Sequence, residues 1–154
     1  MFLRSTLVLA FAAVLVVAGC GAKKNDLAPA ACLVTSQGYL RALERAPGEV
    51  RLAGTTPISD CLVPEQDAGQ LANIGHEMIV AATKLNGRAR AGSETAALQL
   101  GYLTGAVSKG ADAIHTDLVR RLNSAAQFSE NGGALRASFQ RAFSRGYAAG
   151  HSSG

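Results

Sequence analysis

The stretch TAALQLGYLTGAVSKG, residues 95–110, decides the fold of this chain. Large apolar residues recur there every three or four positions, which predicts an amphipathic α-helix. The stripe continues past this stretch and comprises Leu100, Leu103, Val107, Ala111, Ile114, Leu118, Leu122 and Ala125. Its spacing is an eleven-residue repeat, so we expect a nearly straight helix over 94–128, with Lys109-Gly110 as the one place where it would break.

Small residues follow a second pattern in the same helix. Ala97, Gly101 and Gly105 lie four positions apart, on one side of the predicted helix. Glycine costs up to about 1 kcal/mol relative to alanine inside a helix, so a close tertiary contact must offset it. Either a helix of the same chain or a second molecule would supply that contact. Gly101 and Gly105 are therefore candidates for a partner or ligand face.

A second helix is predicted from residue 65, just after Pro64. The acidic turn that follows this proline suits a helix N-terminus, and Asn86-Gly87 is a plausible stop. Two arginines, Arg88 and Arg90, would then lie in a loop beside the N-terminus of the next helix. They are the candidate contacts for an anion.

A last helix is predicted over 134–149, with residues 150–154 as a frayed tail. Phe139, Phe143 and Tyr147 share one face of it, and arginines occupy the other. The aromatic side chains would either fill the core or form part of a partner or ligand face, and a basic amphipathic helix would also suit an anionic membrane surface.

These patterns predict an all-α fold, a small bundle of about three main helices spanning 65–149. Residues 32–64 hold prolines and glycines, and they predict a short helix near 33–45 followed by irregular structure. Together, 32–154 would form a single helical domain.

The start of the chain has the pattern of an export signal. Arg4 precedes an uncharged apolar run over 5–18. Val17-Ala18-Gly19-Cys20 then resembles the lipobox of bacterial lipoprotein precursors. The resemblance implies that residues 1–19 are a cleaved signal peptide and that Cys20 carries a diacylglyceryl anchor. Residues 20–31 would be a flexible tether, and the protein would lie on the extracytoplasmic side of a cell membrane or outer membrane.

Two cysteines remain once Cys20 is assigned to the lipid. In an oxidising compartment Cys32 and Cys61 predict a disulfide bond, with two free thiols or a metal pair as the alternatives. A metal is the weaker alternative because no histidine or further cysteine lies at ligand spacing from either residue, and no metal or cofactor is predicted.

Charge and composition narrow the classes of partner. The whole chain has 15 Lys plus Arg and 11 Asp plus Glu, and the predicted signal contributes only Arg4 to these totals. The net positive charge is therefore small. Together with the absence of tryptophan and the low content of other aromatic residues, it argues against nucleic acid as a partner.

No catalytic constellation stands out in the sequence. His76-Glu77 begins a zinc-protease pattern, but Val80 replaces its second histidine. Asp112 and His115 have the spacing of an acid-base dyad or of a locally satisfied histidine. We therefore expect a protein that is not an enzyme. Our leading hypothesis is a lipid-anchored interaction module that binds an envelope protein or a second copy; the alternative is a carrier or sensor of a small apolar or anionic ligand.

Overall fold

The computed structural model describes residues 27–129, 133 and 136–154. Within them lie five α-helices: α1 (Ser36–Leu43), α2 (Ala68–Arg90), α3 (Glu94–Gly110), α4 (Thr116–Gln127) and α5 (Ala137–Ser153). Three short 3₁₀ turns, Ala30–Cys32, Ile58–Cys61 and Ala113–His115, join or precede them. The described residues form no strand beyond an isolated bridge between Leu52 and Thr56. The predicted all-α fold is confirmed.

Helix α3 lies at the centre of the bundle, and all of the residues from Ala96 to Val107 are buried except Leu98 and Gln99, which are partly exposed. One side of it packs on α2 and α4, and the other side packs on α5. The residues 91–93 between α2 and α3 form a tight turn in which Gly92 adopts a φ of 108°. Because the turn is short, α2 and α3 form an antiparallel hairpin.

Helices α3 and α5 run parallel at very close distance. A Cβ on Gly101 would meet the carbonyl of Phe143, and a Cβ on Gly105 would meet that of Tyr147. The approach is mutual, because glycines of α5 face main-chain carbonyls of α3 in the same way: Gly146 faces Leu98 and Gly150 faces Tyr102. Since the contacts advance along both helices in the same direction, the helices are parallel. Helix α4, which lies between them in the sequence, carries the chain back in the opposite direction.

The long helix predicted over 94–128 is two helices, so the bundle has four main helices where about three were predicted. The break is at the expected place, with α3 ending at Gly110. That glycine packs against the main chain of Ser59, where a side chain would clash. After the break, Asp112 caps the turn Ala113–His115, and Ile114 of the predicted core stripe is 46% exposed. Local capping and packing therefore override the eleven-residue repeat.

The prediction for α2 was wrong at both ends. The helix begins at Ala68, where the Asp67 carboxylate accepts a hydrogen bond from the N–H of Gln70. It then continues through Asn86-Gly87 to Arg90. Asn86 does not end the helix because its side chain is buried and donates to the carbonyl of Phe128, 2.8 Å away.

The last helix was also predicted too early in the sequence. It ends at Ser153, and the predicted frayed tail is folded onto the domain. Gly154 is buried, and its carbonyl accepts a hydrogen bond of 2.6 Å from the Ser59 hydroxyl. The Lys109 ammonium donates to the carbonyl of Ser152 at 3.0 Å. These contacts hold the end of α5 against the end of α3.

The N-terminal segment is tied down by the predicted disulfide. Cys32 and Cys61 are bonded, with a Cα–Cα distance of 5.5 Å, and both are fully buried. Packing begins before the predicted boundary at 32, because Ala28 is buried and its N–H donates to Gln70. The predicted signal peptide and Cys20 lie outside the described residues.

Candidate functional site

The histidine-glutamate pair on α2 has a structural role at Glu77. Its carboxylate accepts a hydrogen bond of 2.5 Å from the N–H of Ser36, the first residue of α1. A carboxylate at that place satisfies a free amide and suits the positive end of the helix. His76 is exposed on the neighbouring surface. Glu77 therefore docks α1 onto α2.

The Asp112–His115 pair is formed, but its imidazole is sealed inside the domain. His115 is 0% exposed, and Asp112 Oδ1 lies 2.8 Å from its Nδ1. Its Nε2 lies 3.1 Å from Gln66 Oε1, while the Gln66 amide nitrogen donates to the carbonyl of Cys61. The imidazole therefore has no edge exposed to solvent. Its contacts link the turn at Asp112 to Gln66 and, through Gln66, to Cys61.

The geometry also assigns the tautomer of that imidazole. Gln66 presents its oxygen to His115 because its nitrogen is used by Cys61. Nε2 must then carry the hydrogen and donate it. Nδ1 lies 3.1 Å from the main-chain nitrogen of Asp112, a contact that completes a capping box at this turn, and 2.8 Å from Asp112 Oδ1.

Tyr39 closes the same buried region from the other side. Its hydroxyl donates to the carbonyl of Cys32 at 2.9 Å. Burial, reinforced by the nearby Glu77 carboxylate, raises the pKa of Tyr39 well above its usual range. A phenol in this environment is kept neutral and serves as a hydrogen-bond donor.

Two further findings concern other classes of site. Within residues 27–129, 133 and 136–154, no three His, Cys, Asp or Glu side chains gather as metal ligands would. In the same described part of the chain, none of the helices combines the length and apolar composition needed to span a membrane.

The structure does not bring the two predicted anion contacts together. Arg88 and Arg90 belong to the last turn of α2, where residues two positions apart point away from each other. Arg90 donates to Asn86 Oδ1 at 3.1 Å and to the carbonyl of Gln127 at 2.8 Å, and its guanidinium lies 6.0 Å from the ring centre of Phe139. Arg90 therefore joins α2, α4 and α5, and Arg88 remains exposed.

The predicted partner face also divides into a buried part and an open part. Gly101 and Gly105 are buried beneath α5, so they are not a surface for a second molecule. Phe139 is buried, whereas Phe143 and Tyr147 keep part of their surface open. The three rings stack along α5 with centres 6.2 and 6.5 Å apart.

Two adjoining depressions lie along the outer side of α5. The first, which we call the aromatic cleft, has a volume of about 300 Å³ and is lined by Ala126, Gln127, Phe139, Gln140, Phe143 and Ser144. The second, the arginine cavity, has a volume of about 680 Å³ and is lined by Glu94, Ala137, Ser138, Gln140, Arg141, Ser144 and Arg145. Gln140 and Ser144 belong to both, so an apolar surface and a cationic surface meet at these two residues.

The electrostatic character of this site is positive. Residues 136–154 contain Arg136, Arg141 and Arg145 and no aspartate or glutamate. Among the described residues, no carboxylate forms an ion pair with Arg141 or Arg145. Glu94 is the one acidic residue among the described residues that line the arginine cavity. Two guanidinium groups one helical turn apart therefore face solvent with their donors available.

Sequence reasoning placed Arg141 and Arg145 on the polar side of the last helix, facing either water or an anionic membrane surface. Their spacing of four residues was the available signal, since it places two guanidinium groups on one stripe. The neighbouring cleft gives no such signal, because Ala126 belongs to a different helix.

Comparison with known proteins assigns no relative to this architecture. A scan against protein-family models finds no match, and searches of curated proteins and of solved structures find no similar chain.

Proposed function

We propose that this protein is a lipid-anchored module on the extracytoplasmic side of a bacterial membrane, and that it acts by binding an envelope partner. The observation that carries the anchor is the sequence Val17-Ala18-Gly19-Cys20 at the end of an uncharged apolar leader. Acyl chains contribute about 0.8 kcal/mol per buried methylene, so two of them hold a protein on a membrane durably.

The disulfide is consistent with this compartment. Cys32 and Cys61 are paired in the folded domain, and disulfides persist in exported proteins and are rare in reducing cytosol. The binding role is supported by the open side of α5, where Phe143 and Tyr147 are half-buried and next to a cleft. The dimer along Gly101 and Gly105 is withdrawn, because α5 covers both residues.

A second candidate function is favoured by the two depressions on α5. Volumes of about 300 and 680 Å³ lie in the range of small-molecule sites. A carrier or sensor of an apolar or anionic ligand would use them directly. The two candidates differ in the size of the occupant, since a partner protein buries a much larger surface.

The anchor is tested by mass and by thiol content. The full chain is expressed in a bacterium that processes lipoproteins, and the purified product is compared with the Cys20→Ala variant. We expect a mature protein that begins at Cys20, carries diacylglycerol and has no free thiol after denaturation without reductant. An unmodified chain with one free thiol would contradict the anchor.

The binding role is tested by cross-linking in native membranes, followed by affinity purification and mass spectrometry. One recurring protein that disappears with Cys20→Ala would support the partner hypothesis. Recovery of no protein above background would contradict it and favour the ligand hypothesis.

A further inference from the structure

We propose that the outer side of α5 binds an anionic amphiphile, with its phosphate in the arginine cavity and its apolar chain in the aromatic cleft. The chemical class is a phosphate-bearing lipid, such as an anionic phospholipid of the membrane that holds the anchor. Its biological setting rests on the anchor and on the second function proposed above, and its binding chemistry rests on the two depressions along α5.

The phosphate part of the site is formed by two arginines and two hydroxyls. Arg141 and Arg145 lie one turn apart on the same side of the helix, and both line the cavity. Guanidinium forms charge-assisted, often bidentate hydrogen bonds to phosphate. Ser138 and Ser144 line the same cavity and add hydroxyl donors. Glu94 also lines it, but two cations outweigh one carboxylate, and neither arginine is paired with it.

The apolar part of the site is supplied by two helices. Ala126 comes from the last turn of α4, and Phe139 and Phe143 come from α5. The Phe139 and Phe143 rings are nearly parallel, with an angle of 8° between their planes; Phe139 is buried, and Phe143 keeps part of its surface open. Phe128, just beyond α4, is 61% exposed and extends the apolar surface at this end of the bundle.

The continuity of the two parts selects an amphiphile over a simple anion or a simple hydrocarbon. Gln140 and Ser144 line both depressions, so a ligand that passes over them would place an apolar group on one side and a charge on the other. Each part alone is open to solvent. A ligand that fills both gains from apolar burial and from the arginines together.

A groove between α2 and α4 lacks this complementarity. About 380 Å³ is enclosed between α2 and α4, over Leu71, Ile79 and Leu118. The charges of Asp117 and Arg121, which both line it, balance each other, and these two side chains lie 3.9 Å apart. Nothing there favours an anion over a neutral ligand.

The test is a thermal-shift and affinity titration of the purified full-length protein in a neutral detergent at fixed concentration. The three probes are dioctanoyl phosphatidylglycerol, dioctanoyl phosphatidylcholine and inorganic phosphate. We expect phosphatidylglycerol to raise Tm by about 3 °C or more near saturation, and the other two to give smaller shifts.

Paired variants locate the binding. Arg141→Gln with Arg145→Gln should raise the Kd for phosphatidylglycerol by about tenfold or more. The matched control, Arg120→Gln with Arg121→Gln, removes the same charge from α4 and should leave the Kd within about twofold. Ser144→Trp places bulk on an exposed position shared by both depressions and should abolish the shift, with circular dichroism confirming the fold.

Three results would overturn the proposal. Equal shifts with phosphatidylglycerol and phosphatidylcholine would show that the headgroup is not recognised. Inorganic phosphate as effective as the lipid would identify a free-anion site. An unchanged Kd in the double arginine variant of α5 would place binding elsewhere. Each of these measurements is independent of the anchor. A missing lipid on Cys20 would contradict the proposed location of the protein, but it would not bear on binding at α5.

Discussion

Gly105 of α3 and Tyr147 of α5 meet backbone to backbone: a Cβ on Gly105 would lie well inside 3.0 Å of the Tyr147 carbonyl oxygen. The pair is one contact of a mutual set, since Gly150 meets Tyr102 in the same way. Because main chain lies on both sides, no side-chain rotation relieves an added methyl group. The distance between the two helices is therefore set by the lack of side chains at these positions.

Replacing Gly105 by alanine should destabilise the domain by about 2 kcal/mol or more, because the two parallel helices must move apart. Chemical denaturation monitored by circular dichroism measures the free energy of unfolding. The matched control is Gly87→Ala on α2, where nothing lies within 4 Å of an added Cβ. That change should stabilise by about 0.5–1 kcal/mol. Similar values for the two variants would refute the close contact.

The Gln66–His115 hydrogen bond should couple the segment before α2 to the turn before α4. Because both side chains are buried, Gln66→Leu should cost about 1–3 kcal/mol by leaving the imidazole Nε2 hydrogen without an acceptor. A double-mutant cycle with His115→Leu should give a coupling energy of about 1 kcal/mol or more.

The histidine tautomer gives an independent check of that network. Nitrogen NMR of His115 should find a hydrogen on Nε2, because Gln66 offers its oxygen there while its nitrogen donates to the Cys61 carbonyl. Observation of the Nδ1–H tautomer would mean that the Gln66 amide is reversed.

Stability at alkaline pH should depend on Tyr39. Its pKa is raised in the folded state above the ordinary value of 10.0, so the neutral phenol is favoured by folding. The stabilising contribution is present below pH 10 and is lost as pH rises above it, because the unfolded chain releases this proton first. Unfolding free energies measured between pH 8 and pH 11 should fall above about pH 10.

The control for this titration is Tyr39→Phe. It should lower stability at neutral pH by about 1 kcal/mol through loss of the hydrogen bond to the Cys32 carbonyl. The unfolding free energy of this variant should also fall less steeply above pH 10 than that of the natural protein. Parallel curves for the two proteins would show that another group governs the alkaline transition.

Reduction of the Cys32–Cys61 bond should destabilise the domain by about 3–4 kcal/mol in the chain-entropy model, since the bond closes a separation of 29 residues. Thermal unfolding with and without reductant measures the loss. The variant with Cys32→Ala and Cys61→Ala should be insensitive to reductant. An unchanged Tm after verified reduction would show that packing alone holds the segment.

Helix α3 shows which features of the fold could be predicted from local sequence. The apolar spacing predicted a helix here but continued it to residue 128, with a break at Lys109-Gly110 only as an option. The glycines four positions apart indicated a close neighbour. They did not identify that neighbour, because Gly146 and Gly150 match α3 only when the two helices are parallel. Parallel pairing is set by the path of α4, and that path is a property of the whole chain.

The ends of α2 were mispredicted for a related reason. Asn86-Gly87 has the composition of a helix stop, and the local rule is correct when such residues face water. Here Asn86 is buried and its amide is used by Phe128, a residue more than 40 positions away. A non-local hydrogen bond therefore replaced the turn that the local sequence favoured.

By itself, the sequence determined the helical class, the pairing of Cys32 with Cys61 and the apolar stripe of the central helix, since these follow from periodicity and residue type. The tertiary structure alone decided that Arg90 is used between three helices and that Arg141 and Arg145 lie beside an apolar cleft. Periodicity specifies which side of a helix is apolar but carries no information about which helix covers it. The adjacency that makes a site on α5 therefore appears only when the chain is folded.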